Sequence, residues 1–177
     1  MASELRVDRI IPTTGAPTTG GGGIIQTVFG EKSGEVTTSN TSTYVDTGLT
    51  ATITPKFSSS KILVMIDQVI HVSRSNTTAN GGIKILRGST VIALPNSTQS
   101  NGVAPYGINY QVNGASYVGI IDRWTWQSLD SPATTSAVTY KVQMACMTGN
   151  DSGRIRAQYV GTSGEQKSHI ILMEVSA

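Results

Sequence analysis

The run Lys61-Ile62-Leu63-Val64-Met65-Ile66-Asp67-Gln68-Val69-Ile70-His71-Val72 is the longest apolar stretch of the chain, and its period is two. Ile62, Val64, Ile66, Ile70 and Val72 share one face; Asp67, Val69 and His71 share the other. Side chains alternate across a strand but recur every 3.6 residues around a helix, so this spacing predicts a strand with one buried face. The same period continues on both sides. Upstream, Leu49, Ala51 and Ile53 alternate with Thr50, Thr52 and Thr54. Downstream, Ile83 and Ile85 begin a strand that Arg87-Gly88-Ser89-Thr90 turns into Val91-Ile92-Ala93-Leu94, a hairpin signal. Residues 117–126 and 137–147 read as a further pair across Leu129-Asp130-Ser131-Pro132. Asn150-Asp151-Ser152-Gly153 reads as a hairpin turn, followed by Ile155, Ala157 and Tyr159 alternating with Arg154, Arg156 and Gln158. A last strand spans residues 170–175.

No segment sustains a helical period. About eight to ten short strands separated by Gly, Pro, Asn and Ser imply an all-β sandwich, jelly roll or barrel, and periodicity alone does not choose among them. Residues 73–82 and 95–103 are polar, almost uncharged and read as long loops, the usual place for recognition on a rigid scaffold.

Composition narrows the function classes. The chain has 177 residues, one domain by length, with a formal charge of +2 and a pI of about 8.8. So small a charge does not make a nucleic-acid or polybasic membrane surface. Only 14% of residues are charged, against roughly 25% in an ordinary globular protein. Ser, Thr, Asn and Gly replace them, a surface common where subunits pack or sugars bind. The single cysteine, Cys146, excludes an intrachain disulfide and falls on the apolar face of its strand. No apolar stretch approaches the ~20 residues of a membrane span.

Nothing in the sequence assembles an active site. There is no Gly-x-Ser-x-Gly elbow, Walker sequence, His-Glu-x-x-His or Cys-x-x-Cys. His71 and His169 are far apart, and residues 150–153 lack the spaced acids of a calcium loop. The expectation is a non-enzymatic protein without cofactor or metal. The distinctive side chains are Trp124 and Trp126, which share one strand face. They read either as core or subunit-interface packing or as a platform on which a sugar ring stacks, with Tyr106, Tyr110 and Tyr117 suited to the same use.

Residues 1–23 have their own logic. Leu5, Val7, Ile10 and Ile11 alternate with Glu4, Arg6, Asp8 and Arg9, an extended strand with an apolar edge and a charged edge of mixed sign. A lone strand is unstable in water, so it should add to a sheet of a neighbouring subunit or of a separate partner. A Pro/Thr/Gly stretch ending in Gly20-Gly21-Gly22-Gly23 then tethers it to the β domain at residues 24–177. Fully stretched, such a segment reaches ~70 Å.

Several pieces, in order, resemble small structural proteins of tailed bacteriophages, especially those of cyanobacteria and other aquatic bacteria. They are Glu4-Leu5-Arg6-Val7-Asp8-Arg9-Ile10-Ile11-Pro12 with the glycine run into Ile24-Ile25-Gln26; Tyr44-Val45-Asp46-Thr47-Gly48-Leu49; Ala51-Thr52-Ile53-Thr54-Pro55; Ser59-Ser60-Lys61-Ile62-Leu63-Val64; Ile85-Leu86-Arg87-Gly88; Leu129-Asp130-Ser131-Pro132; Thr134-Thr135-Ser136-Ala137-Val138-Thr139-Tyr140; and Ile171-Leu172-Met173-Glu174-Val175. The resemblance implies a tail-fibre or minor virion structural protein whose antiparallel, jelly-roll-like β-sandwich commonly forms a homotrimer. It carries no catalytic residues. There are no heptads or repeats for a fibre shaft, so a knob, tip or surface decoration is expected. Residues 1–12 would hold it to other virion proteins, and its loops would meet a host-surface glycan. The alternative is a capsid decoration protein whose arm clamps neighbouring coat subunits.

Overall fold

A computed structural model describes residues 23–41, 43–94, 107–147, 152–159, 161 and 166–176. The arm at 1–22, Tyr106 and the expected loop at 95–103 lie outside the described residues. Among those described, every regular element is a strand. They are β1 (Ile24–Lys32), β2 (Val36–Thr38), β3 (Val45–Ile53), β4 (Lys61–Arg74), β5 (Thr78–Arg87), β6 (Thr90–Ala93), β7 (Gly107–Gln111), β8 (Val118–Asp130), β9 (Val138–Cys146), β10 (Arg154–Ala157) and β11 (Ser168–Val175).

Two antiparallel sheets face each other. In the first, β4 is central: β8 pairs along one side of it, while β11 and β10 share the other side, backed by β1 and β2 respectively. In the second the order is β3-β9-β5, with β6 and β7 sharing the outer side of β5. The chain crosses between sheets at β2–β3, β3–β4, β4–β5, β7–β8, β8–β9 and β9–β10. With β1/β2, β6/β7 and β10/β11 each counted as one broken strand, this is the eight-stranded, two-sheet winding of a jelly roll.

The inner faces follow the period of two. Leu49, Ala51 and Ile53 are buried while Thr50, Thr52 and Thr54 are exposed, and Ile62, Val64, Ile66, Ile70 and Val72 are all buried against Ile83, Ile85, Tyr140, Val142 and Leu172. The hairpin expected at residues 87–90 forms between β5 and β6. Cys146 is buried, as its position predicts.

Backbone groups left over where β11 gives way to β10 beside β4 are satisfied locally, as buried amides require. Ser168 Oγ accepts from the Val69 N–H at 2.9 Å and from Gln68 Nε2 at 2.7 Å, and the Gln158 N–H donates to the Val69 carbonyl at 3.1 Å. In β3, the register shift between Asp46 and Thr50 accommodates a bulge. Gly48 adopts φ +82 there, and Thr47 Oγ1 donates to the Val142 carbonyl at 3.1 Å. Fully buried Glu174 fastens the β3–β4 connection, accepting from Lys56 N at 2.7 Å, Phe57 N at 3.3 Å and Gln26 Nε2 at 2.6 Å. Burial pushes its pKa up, but these bonds outweigh that and hold it below the usual carboxylate range.

Three expectations are corrected. Residues 73–82 are not a long loop: β4 runs to Arg74 and β5 begins at Thr78. The strand is hidden in small residues because the facing sheet fills the space. A Cβ on Gly81 would stand 2.5 Å from Ile155 Cδ1 and 2.8 Å from Val72 Cγ1. Second, residues 117–126 and 137–147 do not pair with each other; β8 pairs with β4, and β9 with β3 and β5. The 129–132 turn carries the chain between sheets, with Asp130 pinned by Arg87 Nη1 at 2.8 Å and by the Tyr140 hydroxyl at 2.7 Å. β9 and β10, which flank the turn expected at 150–153, likewise lie in different sheets and do not form a hairpin; residues 148–151 lie outside the described residues, and Ser152 has φ +58. Third, the alternation of β10 stops at Ala157. Gln158 takes φ +50, which reverses the parity, so Gln158 is buried and Tyr159 turns to the outer face.

Candidate functional site

The two outer faces of the sandwich differ in chemistry. On β3 and β9 the outward residues are polar and mutually bonded. Thr52 and Thr139 hydroxyls meet at 2.7 Å, and Asp46 accepts from Lys141 at 3.1 Å and Gln143 at 2.6 Å. This is a surface made for water.

The outer face of β1, β11, β4 and β8 is not. Its register aligns Thr27, Met173, Leu63 and Leu129 in one row across the strands, and Phe29, Ile171, Met65 and Gln127 in the next. Leu63, Met65, Ile171 and Met173 are only half-buried, while Phe29 is 59% and Leu129 49% exposed. A contiguous apolar patch on a sheet face marks an interaction site. The third row is charged: Glu31, His169, Asp67 and Thr125. Lys167 Nζ lies 2.7 Å from Glu31, and Arg123 Nη1 lies 3.4 Å from Asp67. The hydrogen bond from Lys167 holds the Glu31 carboxyl below its ordinary pKa. A shallow groove runs along this boundary between Met65, Ile171, His169, Asp67, Thr125 and Gln127.

Beside this face lies an open edge. β8 pairs with β4 at all thirteen positions without a register shift, and among the described residues no strand pairs with its other side. Long, regular, uncovered edges are ready templates for another chain.

The structure divides the aromatic set. Trp124 and Trp126 sit opposite Gln68 and Ile66 and so point inward, half-buried and packed against the core. Tyr110, opposite buried Ala79 on β7, also packs on the core. All three are half-buried on the core side, near where β7 approaches the inner face of β8. Tyr117 is 59% exposed and precedes the far end of β8, ~23 Å along the strand from Trp124. It does not join them.

A second cluster escaped the sequence reading. Arg156 Nη1 donates to His71 Nδ1 at 2.9 Å, which fixes the neutral imidazole's proton on Nε2. The ring stacks on Tyr159 at 4.2 Å, and the Arg156 guanidinium lies 5.1 Å from the same ring while pairing with Glu35 at 3.3 Å. Burial, then the positive charges of Arg156 and Arg154, push the His71 pKa down to about 4. The only trace in the sequence is Arg156 two residues from Arg154; the parity reversal at Gln158 that brings Tyr159 over His71 has no sequence signal. Among the described residues no three His, Cys, Asp or Glu side chains gather as a metal site, and no helix is long and apolar enough to cross a membrane.

No protein-family model and no curated protein matches this chain.

Proposed function

We propose that this chain is a non-enzymatic structural protein of a phage particle, a knob that works as an oligomer. One observation carries the oligomer: the apolar rows of Leu63, Met65, Ile171, Met173, Phe29 and Leu129 on one outer sheet face, against the polar, mutually bonded outward residues of β3 and β9 on the other. Rows of half-buried apolar side chains across an outer sheet face are what a neighbouring subunit covers. The phage-family resemblance supplies the rest: a trimeric tail-fibre or receptor-binding knob, joined into its assembly by residues 1–12 and meeting a host-surface glycan through its loops. Avidity gives this arrangement its sense, since three weak sites on one knob bind far more tightly than one. Tyr117 is the described member of the aromatic set that stands open to solvent.

Two experiments test the reading. Light scattering on the purified protein gives the mass; a trimer is expected, and a monomer at micromolar concentration refutes assembly. In a Met65→Lys variant the mass should fall while the melting temperature of the isolated domain stays nearly unchanged. Localised cryo-EM reconstruction of the virion then gives position. Density at the tail supports the knob, density repeated over the capsid lattice replaces it with a decoration role, and absence from purified particles overturns the virion assignment.

A further inference from the structure

We infer that the open edge of β8 is the docking strand for residues 4–11 of a neighbouring copy of this chain, paired antiparallel with Asp8 opposite Arg123. The inference rests on the oligomeric reading above and chooses, of the two partners open to the arm, the neighbouring copy.

The register follows from chemistry. Residues directly opposite in an antiparallel pair share a face. With Asp8 opposite Arg123, Arg9 falls opposite Asp122, so both charged positions of the β8 centre meet the opposite sign. Val7 and Leu5 fall opposite Trp124 and Trp126, on the inner face where those rings are half-buried. Beyond the charges, Ile10 and Ile11 meet Ile121 and Ile120, and Ile121 is 54% exposed without such a cover. Slipping the pairing two residues one way puts Ile11 on Asp122; slipping it the other way puts Arg6 on Arg123. Both slips break the match.

Reach selects the copy. Gly23 accepts from the Ser176 N–H and sits level with the Asp130 end of β8, because Ile24 pairs Val175, Val175 pairs Lys61, and Ile62 pairs Asp130. The antiparallel arm ends at the opposite end, beside Ile120. Returning to its own Gly23 means ~33 Å along the strand and about four inter-strand spacings of ~4.8 Å across, close to 38 Å in a straight line. The twelve peptide units from Ile11 to Gly23 span at most ~40–43 Å. The chain's own arm would have to be drawn taut through a Pro/Gly-rich tether; a neighbour's arm starts from its own Gly23 and need not cross this sheet. Head-to-tail donation is a heterologous contact, which makes a ring where its rotation closes, and a three-fold ring is one such closure.

The test uses the full chain carrying Asp8→Cys with Arg123→Cys, oxidised and run on a non-reducing gel, with light scattering on the same sample before oxidation. The expected result is covalent dimer and trimer, against dimer at most for either single variant. A covalent monomer that has lost two hydrogens shows the arm folding on its own sheet and overturns the exchange. Cross-linking by Glu4→Cys with Arg123→Cys instead, which parallel pairing would bring together, overturns the register. An oligomer by light scattering with no cross-link in either pair leaves assembly standing and refutes the arm exchange. A monomer refutes both. As an independent readout, Asp122→Arg should weaken assembly, and adding Arg9→Asp should restore it.

Discussion

His71 should make this fold lose stability between pH 7 and pH 5, before its carboxylates begin to protonate. The ring is 5% exposed, accepts from Arg156 through Nδ1, stacks on Tyr159 and faces a second cation, Arg154. Protonating it would set two donors against each other and bury a charge among positive ones. Its pKa is therefore about 4 in the fold, against roughly 6.5 in the unfolded chain. The unfolded state binds the proton first, so the contribution of neutral His71 is complete above pH 6.5 and is lost as pH falls toward 4. Linkage puts that loss at about 2 kcal/mol by pH 5 and about 3 kcal/mol by pH 4. The carboxylates held low here, Glu31, Asp46 and Glu174, are lost only below their ordinary range. The pH 5 to 7 window thus lies above those carboxylates, and comparison with a variant lacking the ring isolates His71. Urea unfolding at pH 7 and pH 5, on the wild type and on His71→Asn, should show the wild type losing about 2 kcal/mol more than the variant. Parallel losses in the two proteins would refute the argument.

The remaining expectations concern packing and polar contacts. Asp130 accepts from Arg87 at 2.8 and 2.9 Å and from fully buried Tyr140 at 2.7 Å, tying the end of β8 to the opposite sheet. Burial and then the Asp130 hydrogen bond push the Tyr140 pKa up, so the phenol stays a donor. Tyr140→Phe should cost about 1–2 kcal/mol and Asp130→Ala about 2–3 kcal/mol; denaturant unfolding of the double variant should show less than the sum, because both remove one interaction. Additive costs would show that the contact is not made. Gly81→Ala should destabilise by about 1–3 kcal/mol despite the usual gain from replacing glycine, since the new methyl meets Ile155 and Val72. A thermal melt at or above the wild-type midpoint would disprove the close approach, and Ile155→Val in the same chain should recover part of the loss.

What the sequence made legible follows from where bulk carries the signal. Strands whose inward positions are Ile, Val and Leu announce themselves, as β3 and β4 do. β5 does not over residues 78–82, because Ala79 and Gly81 leave their volume to Ile155 and Val72 from the facing sheet, and no local pattern records a space filled from elsewhere. Turns were visible at 129–132 and 150–153, but a turn residue says that the chain bends, not which sheet receives it; that depends on contacts such as Asp130 with Tyr140. The His71 cluster was hidden for a third reason: one residue, Gln158, in the left-handed region reverses a period that the eye continues. The outer apolar face had a signal that alternation obscures. Leu63 and Met65 interrupt what should be the polar side of β4, as Ile171 and Met173 do in β11. A strand that is apolar on both sides is one covered on both sides. Among the described residues the sandwich core covers only one; the proposed oligomer would supply the other cover, and the same strands end at an edge whose charges match those of residues 8 and 9.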